Sequence, residues 1–198
     1  YTQSTSSIGY DVHQVSDNGW DEFGLSDSNA PALGAVVNSS GAITANNFID
    51  VDVTSYVTSD GLLSFGLSTA ETALIQASAR EGSNPPELVI DFDGSGGPTP
   101  TPTATGAPPT PTGTAVPPAP APGPGGSTFT YLPTDDALVL SNRSTTNYGT
   151  VNTLGTDDSP DILTFLKFEV SGLDGTVAPA TLRLFVNSGT AAFDVAQV

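Results

Sequence analysis

Ile162-Leu163-Thr164-Phe165-Leu166-Lys167-Phe168-Glu169-Val170 decides the fold class. From Leu166 onward apolar and charged residues alternate, so Leu166, Phe168 and Val170 share one face and Lys167 and Glu169 the other. That is the period of a strand with one buried side. Leu182, Leu184 and Val186 form a matching row with Arg183 turned outward, which leads us to expect Lys167, Glu169 and Arg183 to pair across strands. Further back, Ile49, Val51 and Val53 alternate with Asp50, Asp52 and Thr54. Leu63, Phe65 and Leu67 add another inward row, as do Leu88, Ile90 and Phe92.

Strands are accordingly expected at Tyr10 to Val15, Phe48 to Tyr56, Leu62 to Leu67, Leu74 to Ala79 and Glu87 to Phe92. Others fall at Ala137 to Ser141, Ile162 to Val170, Thr181 to Val186 and Ala192 to Val198. Helical periodicity is almost absent. Many short strands bounded by Gly, Asn, Asp and Ser read as an all-β, jelly-roll-like antiparallel β-sandwich.

Residues 94–127, GSGGPTPTPTATGAPPTPTGTAVPPAPAPGPGGS, interrupt this pattern without a single charge. They divide the chain into 1–93, a linker at 94–127, and 128–198. Alternating proline favours an extended conformation at about 3.1 Å per residue, a reach on the order of 100 Å. Thr99, Thr101, Thr103, Thr105, Thr110, Thr112 and Thr114 are candidate O-glycan acceptors. Either flanking piece alone would bury too little surface to be secure, and no cysteine staples it.

The net charge of −17, from 21 acids against 4 bases, argues against a nucleic-acid partner, which would require Lys and Arg for phosphate. It suits solubility outside the cell and frees carboxylates for cations or sugar hydroxyls. No apolar run reaches the ~18 residues of a membrane helix. Tyr1-Thr2-Gln3 carries no start Met or signal, and Val198 falls inside a strand pattern, so we expect the chain to lie within a longer or processed precursor. Phe193-Asp194-Val195-Ala196-Gln197-Val198 also echoes Tyr10-Asp11-Val12-His13-Gln14-Val15. Joining Val198 to Tyr1 makes these successive strands, an assembly junction.

Catalytic signals are weak. The only histidine, His13, sits where the echoed strand has Ala196, which reads as a tolerated strand residue. No spacing selects the facing carboxylates of a glycosidase, and no enzyme activity is expected. Calcium is the one cofactor suggested, at Asp157, Asp158 and Asp161, with Asp91-Phe92-Asp93-Gly94 and Asp17-Asn18-Gly19-Trp20-Asp21 as similar oxygen-rich loops. Ordinary Asp-rich turns give the same pattern. Asn38-Ser39-Ser40 and Asn142-Arg143-Ser144 fit N-glycosylation acceptors. Trp20 and Tyr148 could stack on a sugar, although core packing is the more ordinary role. Arg80-Glu81 suggests an ion pair closing the sandwich, and all four bases read as structural partners of carboxylates.

An ordered series of motifs carries a family resemblance. After the linker come Asp135-Asp136-Ala137, Thr146-Asn147-Tyr148-Gly149-Thr150, Leu166-Lys167-Phe168-Glu169-Val170-Ser171-Gly172-Leu173 and Ala180-Thr181-Leu182-Arg183-Leu184. Before it come Asp11-Val12-His13-Gln14-Val15, Trp20-Asp21-Glu22, Asn29-Ala30-Pro31, Asp52-Val53-Thr54-Ser55-Tyr56-Val57 and Pro85-Pro86-Glu87-Leu88-Val89-Ile90. The set resembles the DNRLRE-type extracellular β-sandwich family, itself similar to carbohydrate-binding modules, with the two halves inverted around the linker. Leu25-Ser26-Asp27-Ser28 stands where that family has a Thr-Trp pair, so an aromatic is missing there.

The expectation is a sandwich formed from the back half of one domain and the front half of the next. It would be the repeat unit of an extracellular or cell-surface filament, with copies of itself as head-to-tail partners and glycosylated spacers between beads. Completion would come by covalent continuation or by strand exchange. The alternative is a carbohydrate-binding surface module on a stalk, with polysaccharide as partner.

Overall fold

The computed structural model describes residues 5–92, 127–173 and 177–187. Before the linker lie β1 (Thr5–Ser6), β2 (Asp11–Val15), β3 (Val36–Ser39), β4 (Ile43–Thr44), β5 (Asn47–Asp52), β6 (Gly61–Ser68), β7 (Ile75–Ser78) and β8 (Glu87–Phe92). After it lie β9 (Ser127–Tyr131), β10 (Asp135–Leu140), β11 (Thr153–Asp158), β12 (Asp161–Val170) and β13 (Val177–Val186). Short 3₁₀ turns occupy Asp27–Asn29 and Ser141–Arg143.

All pairings are antiparallel; β1 and β4 form a separate two-stranded ribbon, and the other strands build two layers. One runs β3-β2-β6-β12-β10. In the other, β13 has β5 on one edge and β8 followed by β7 on the opposite edge, with β9 beyond β8. β11 joins the layers: Thr153–Thr156 pair with β7, while Asp157 and Asp158 pair with β12. The core between the layers contains the rows expected from alternation. Leu166, Phe168 and Val170 meet Leu182, Leu184 and Val186, with Phe65, Leu67, Val51, Val53, Leu88 and Ile90 around them, all buried. The antiparallel β-sandwich is therefore observed.

Segments on either side of the linker are interleaved within one chain. β6 lies between β2 and β12, with Gly61 through Leu67 paired to Val170 through Thr164. β13 lies between β5 and β8. Halves that the motif order assigned to successive domains thus share both sheets. β8 and β9, which flank the linker, also pair with each other, Phe92 opposite Ser127. Phe92 and Phe129 stack edge to face at 5.3 Å, and Thr128 donates to the Asp91 carboxylate. The described ends of the linker therefore meet in adjacent strands.

Several boundaries differ from expectation for local reasons. The strand expected to reach Tyr56 stops at Asp52, whose Oδ1 accepts the Thr54 N–H at 2.9 Å and turns the chain. Strands β1, β3, β4, β9 and β11 were not foreseen; Thr153-Leu154-Gly155-Thr156-Asp157-Asp158 changes sheets midway and shows no single alternating face. The expected strand Ala192–Val198 lies outside the described residues.

The charge pairing also needs correction. Lys167 and Arg183 lie in different layers and do not pair with each other or with Glu169. Each instead meets its registered cross-strand neighbours. Lys167 Nζ lies 3.0 Å from Asp135, and Arg183 contacts Asp50 at 2.9 Å and Glu87 at 3.2 Å.

Because Phe92 and Ser127 are neighbours, replacing residues 93–126 by a two-residue Asn-Gly turn should leave a folded monomer. Shortening the loop should raise unfolding free energy by about 2–3 kcal/mol through closure entropy. Urea denaturation with light scattering checks this; aggregation or loss of cooperative unfolding would contradict the intrachain pairing.

Candidate functional site

The outer face of the β2-β6-β12-β10 layer is covered by the loop from Ser16 to Ala35. Val15, Trp20 and Leu25 bury against Ala137, Val139 and Phe165, forming a second apolar layer. Two glycines permit the close fit. A Cβ at Gly66 would stand 2.1 Å from Leu33 Cδ2, and one at Gly149 would stand 2.1 Å from Glu22 O. The Trp20 ring meets Phe165 edge to face at 6.1 Å, and its Nε1–H donates to Ser64 Oγ at 3.1 Å.

Lys167 faces away from the main core, as alternation requires, yet is buried beneath this loop. Its ammonium sits 4.8 Å from the Trp20 ring centroid, donates to Trp20 O and pairs with Asp135. A buried cation held by a carboxylate, a carbonyl and an aromatic face strongly fixes the loop's position. From the other side Asn147 Nδ2 donates to Glu22 O and Leu25 O, both at 2.7 Å. Ser28 N–H donates to Ser144 O at 2.8 Å. Thr146-Asn147-Tyr148-Gly149-Thr150 is thus the clamp for a loop more than a hundred residues earlier.

A cleft of about 380 Å³ opens on this loop, lined by Asp17, Gly19, Trp20, Asp21, Gly24, Leu25 and Asn29. Its walls are largely polar. Asp17 Oδ1 accepts the Gly19 N–H at 2.8 Å. Asp21 Oδ1 accepts those of Phe23 and Gly24 at 3.1 and 2.8 Å. Among the described residues the second oxygen of each carboxylate accepts no hydrogen bond. The Asp21–Gly24 turn also holds Phe23 out into solvent, 69% exposed. A loop-held cleft of this size has the dimensions of a small-ligand site, and Phe23 lies in sequence between two of its lining residues, Asp21 and Gly24.

Behind the loop lies an acidic cluster. Carboxylate oxygens of Glu22, Glu81 and Asp136 lie within 4.8 Å of one another. Arg80 offsets part of their charge: its guanidinium pairs with Glu22 and with Glu81 at 3.0 Å and donates to Thr134 O at 3.0 Å. The Arg80 N–H donates to Asp136 Oδ2 at 2.7 Å. The expected Arg80–Glu81 pair is therefore present, and Arg80 also ties the β7–β8 connection to β10. Burial pushes the Asp136 carboxyl up to about 7; the Arg80 N–H opposes this, while Glu81 and Glu22 add to it. Burial likewise raises Glu22.

The profile of carbohydrate-binding module family 96 matches residues 1–92 and 127–197, that is, both layers and the whole covering loop. The chain belongs to this family. No curated protein matches the chain. No solved structure matches it either.

Within this family-96 framework the remaining candidates fall as follows. Trp20, which lines the cleft, and Tyr148 are both buried, whereas the ring of Phe23, which sequence reasoning did not single out, is exposed. His13 is structural: its Nδ1 lies 3.0 Å from Gly34 O and its Nε2 2.9 Å from Ser68 Oγ. Asn38 is exposed on edge strand β3, with Nδ2 donating to Asp52 O at 3.2 Å, and Asn142 is exposed in its 3₁₀ turn. Asp157 is buried and accepts the Ser159 N–H at 3.0 Å, while Asp158 and Asp161 face each other, exposed, across the β11–β12 turn. Thr99 through Thr114, Tyr1 and Val198 lie outside the described residues.

The Asp136 carboxyl gives a signed prediction. Between the unfolded value of 3.8 and the folded value of about 7, the native state holds a proton that the unfolded chain has lost. Its contribution therefore weakens as pH rises through that window. The urea midpoint should fall from pH 5 to pH 8, and Asp136→Asn, which keeps an acceptor for Arg80 N–H, should flatten much of that slope. Equal slopes in both proteins would contradict the assignment.

Proposed function

We propose that the chain is a non-catalytic carbohydrate-binding module that works outside the cell and takes its glycan in the cleft of the 16–35 loop. The observation that carries this reading is the conjunction of the family-96 match with the open polar cleft on the same loop that exposes Phe23. A sugar ring offers an apolar C–H face and a rim of hydroxyls. The Phe23 ring suits the first, and the free carboxylate oxygens of Asp17 and Asp21 suit the second.

Charge favours an uncharged, hydroxyl-rich glycan over a polyanion. Of the four bases, Lys167, Arg80 and Arg183 are committed to ion pairs, leaving Arg143 alone without one among the described residues. The charged residues that line the cleft, Asp17 and Asp21, are both acids, within a chain of net charge −17.

A second reading is favoured by the repeat of Tyr10–Val15 at Phe193–Val198 and by the Pro/Thr stretch. In it, the module is also the repeat unit of an extracellular filament, with copies joined head to tail and threonines such as Thr99 and Thr110 carrying glycans. Sugar binding and assembly are compatible uses of one sandwich.

Calorimetric titration against neutral polysaccharides, with alginate as the anionic comparison, tests the binding reading. Phe23→Ala should weaken binding of a neutral glycan roughly tenfold, about 1.4 kcal/mol, with thermal unfolding unchanged because the ring is exposed. Unaltered affinity in that variant, or retention of alginate alone, would move the site away from this cleft.

A further inference from the structure

Taking the cleft of the 16–35 loop as the glycan site, a reading on which this step rests, we infer that Asn147 is a positioning residue of that site. It need not touch the ligand. It fixes the Asp21–Gly24 turn from the protein side, and through that turn it sets where the Asp21 carboxylate and the Phe23 ring stand.

The turn closes on itself at Asp21 O, which accepts the Gly24 and Leu25 N–H groups at 3.2 and 3.1 Å. Its two arms, Glu22 O and Leu25 O, both turn to Asn147, whose Nδ2 donates to each at 2.7 Å. Carbonyls only accept, so the nitrogen end of the amide must face them. The oxygen end takes the Gly149 N–H at 3.2 Å, which fixes the amide's orientation. One planar group thus spends both of its hydrogens on the carbonyls that bracket Phe23 and Gly24. Other bonds hold single points: Asp135 Oδ1 accepts the Glu22 N–H at 3.2 Å, and Asn29 Nδ2 donates to Gly24 O at 2.9 Å. Among the described residues, Asn147 is the one side chain bonded to both arms.

The clamp takes its own position from the core. Tyr148, next to Asn147, is buried with Leu138, Leu140 and Ile162. Gly149 completes the seat, because a Cβ there would stand 2.1 Å from Glu22 O and 2.7 Å from Glu22 Cγ. What the clamp holds is the ligand-facing part of the loop. Asp21 Oδ1 accepts the Phe23 and Gly24 N–H groups, so the carboxylate and the backbone that carries the Phe23 ring move together. A turn without Asn147 would have to be ordered when ligand binds, and that ordering would be lost from the affinity.

Asn147→Ala removes both donations and leaves the turn's internal bonds in place. It should weaken binding of a soluble neutral glucan, mannan or xylan, whichever the wild-type chain retains, roughly tenfold in calorimetry. Asn147→Ser, too short to span two carbonyls, should act in the same direction and serves if the alanine variant does not fold. Combined with Phe23→Ala, the total loss should fall well short of the roughly hundredfold that independent effects would give. Val186→Ala, a truncation in the main core away from the loop, reports a merely structural effect and should leave the affinity of the folded protein unchanged. A ligand-free readout comes from chymotrypsin, which cuts after exposed aromatic residues. Native-state cleavage at Phe23–Gly24 should quicken roughly tenfold in Asn147→Ala but not in Val186→Ala.

Binding that depends on Phe23 but is unchanged in both Asn147 variants overturns the inference and leaves the cleft standing. So does a hundredfold loss in the double variant, an equal loss in Val186→Ala, or cleavage at Phe23 no faster than in wild type. Binding indifferent to Phe23 overturns the cleft reading and the role of Asn147 with it.

Discussion

The sandwich depends on one constraint: neither segment flanking the linker can cover its own apolar faces. Leu166, Phe168 and Val170 follow the linker, and β6, which pairs alongside all three, precedes it. Leu182, Leu184 and Val186 follow it, and both strands that flank them, β5 and β8, precede it. A strand buried on one face and hydrogen-bonded on both edges must find all its partners at once. Here β13 takes β5 and β8, and β12 takes β6 beside its same-segment partner β10, from across the Pro/Thr stretch, so the sandwich exists only when both segments contribute.

The outer loop inherits its position from that core. Lys167 is aimed outward by the same alternation that aims Leu166 and Phe168 inward, and burial of its ammonium under Trp20 converts a surface charge into a fastening. Asn147 grips the loop from the second segment, and Arg80 gathers Glu22, Glu81 and Asp136 behind it. In a chain so poor in bases, committing nearly all of them to such fastenings leaves the exposed cleft acidic. The fold's scaffolding and the chemistry offered to a ligand are therefore linked through a small supply of cations.

Much of the core was legible because strand periodicity reports which residues share a face. It does not report whether the opposite face is covered. That is why Lys167 reads as a surface partner for Glu169 or Arg183 and is found beneath a second apolar layer. Edge and crossing strands escaped for a related reason: Ser127–Tyr131 is partly exposed, and β11 divides its residues between two sheets. At the cleft, the aspartates of the Asp17–Asp21 loop were visible as oxygen donors. Phe23 was not, because one aromatic in a polar loop carries no pattern, and only the Asp21 turn decides that its ring faces water.

The most direct test of the interleaved sandwich is to express residues 1–93 and 127–198 as two separate chains. Circular dichroism and urea titration should find each alone without cooperative unfolding, and an equimolar mixture should recover a single cooperative transition with one-to-one stoichiometry. Two pieces that each unfold cooperatively by themselves, and do not associate, would contradict it.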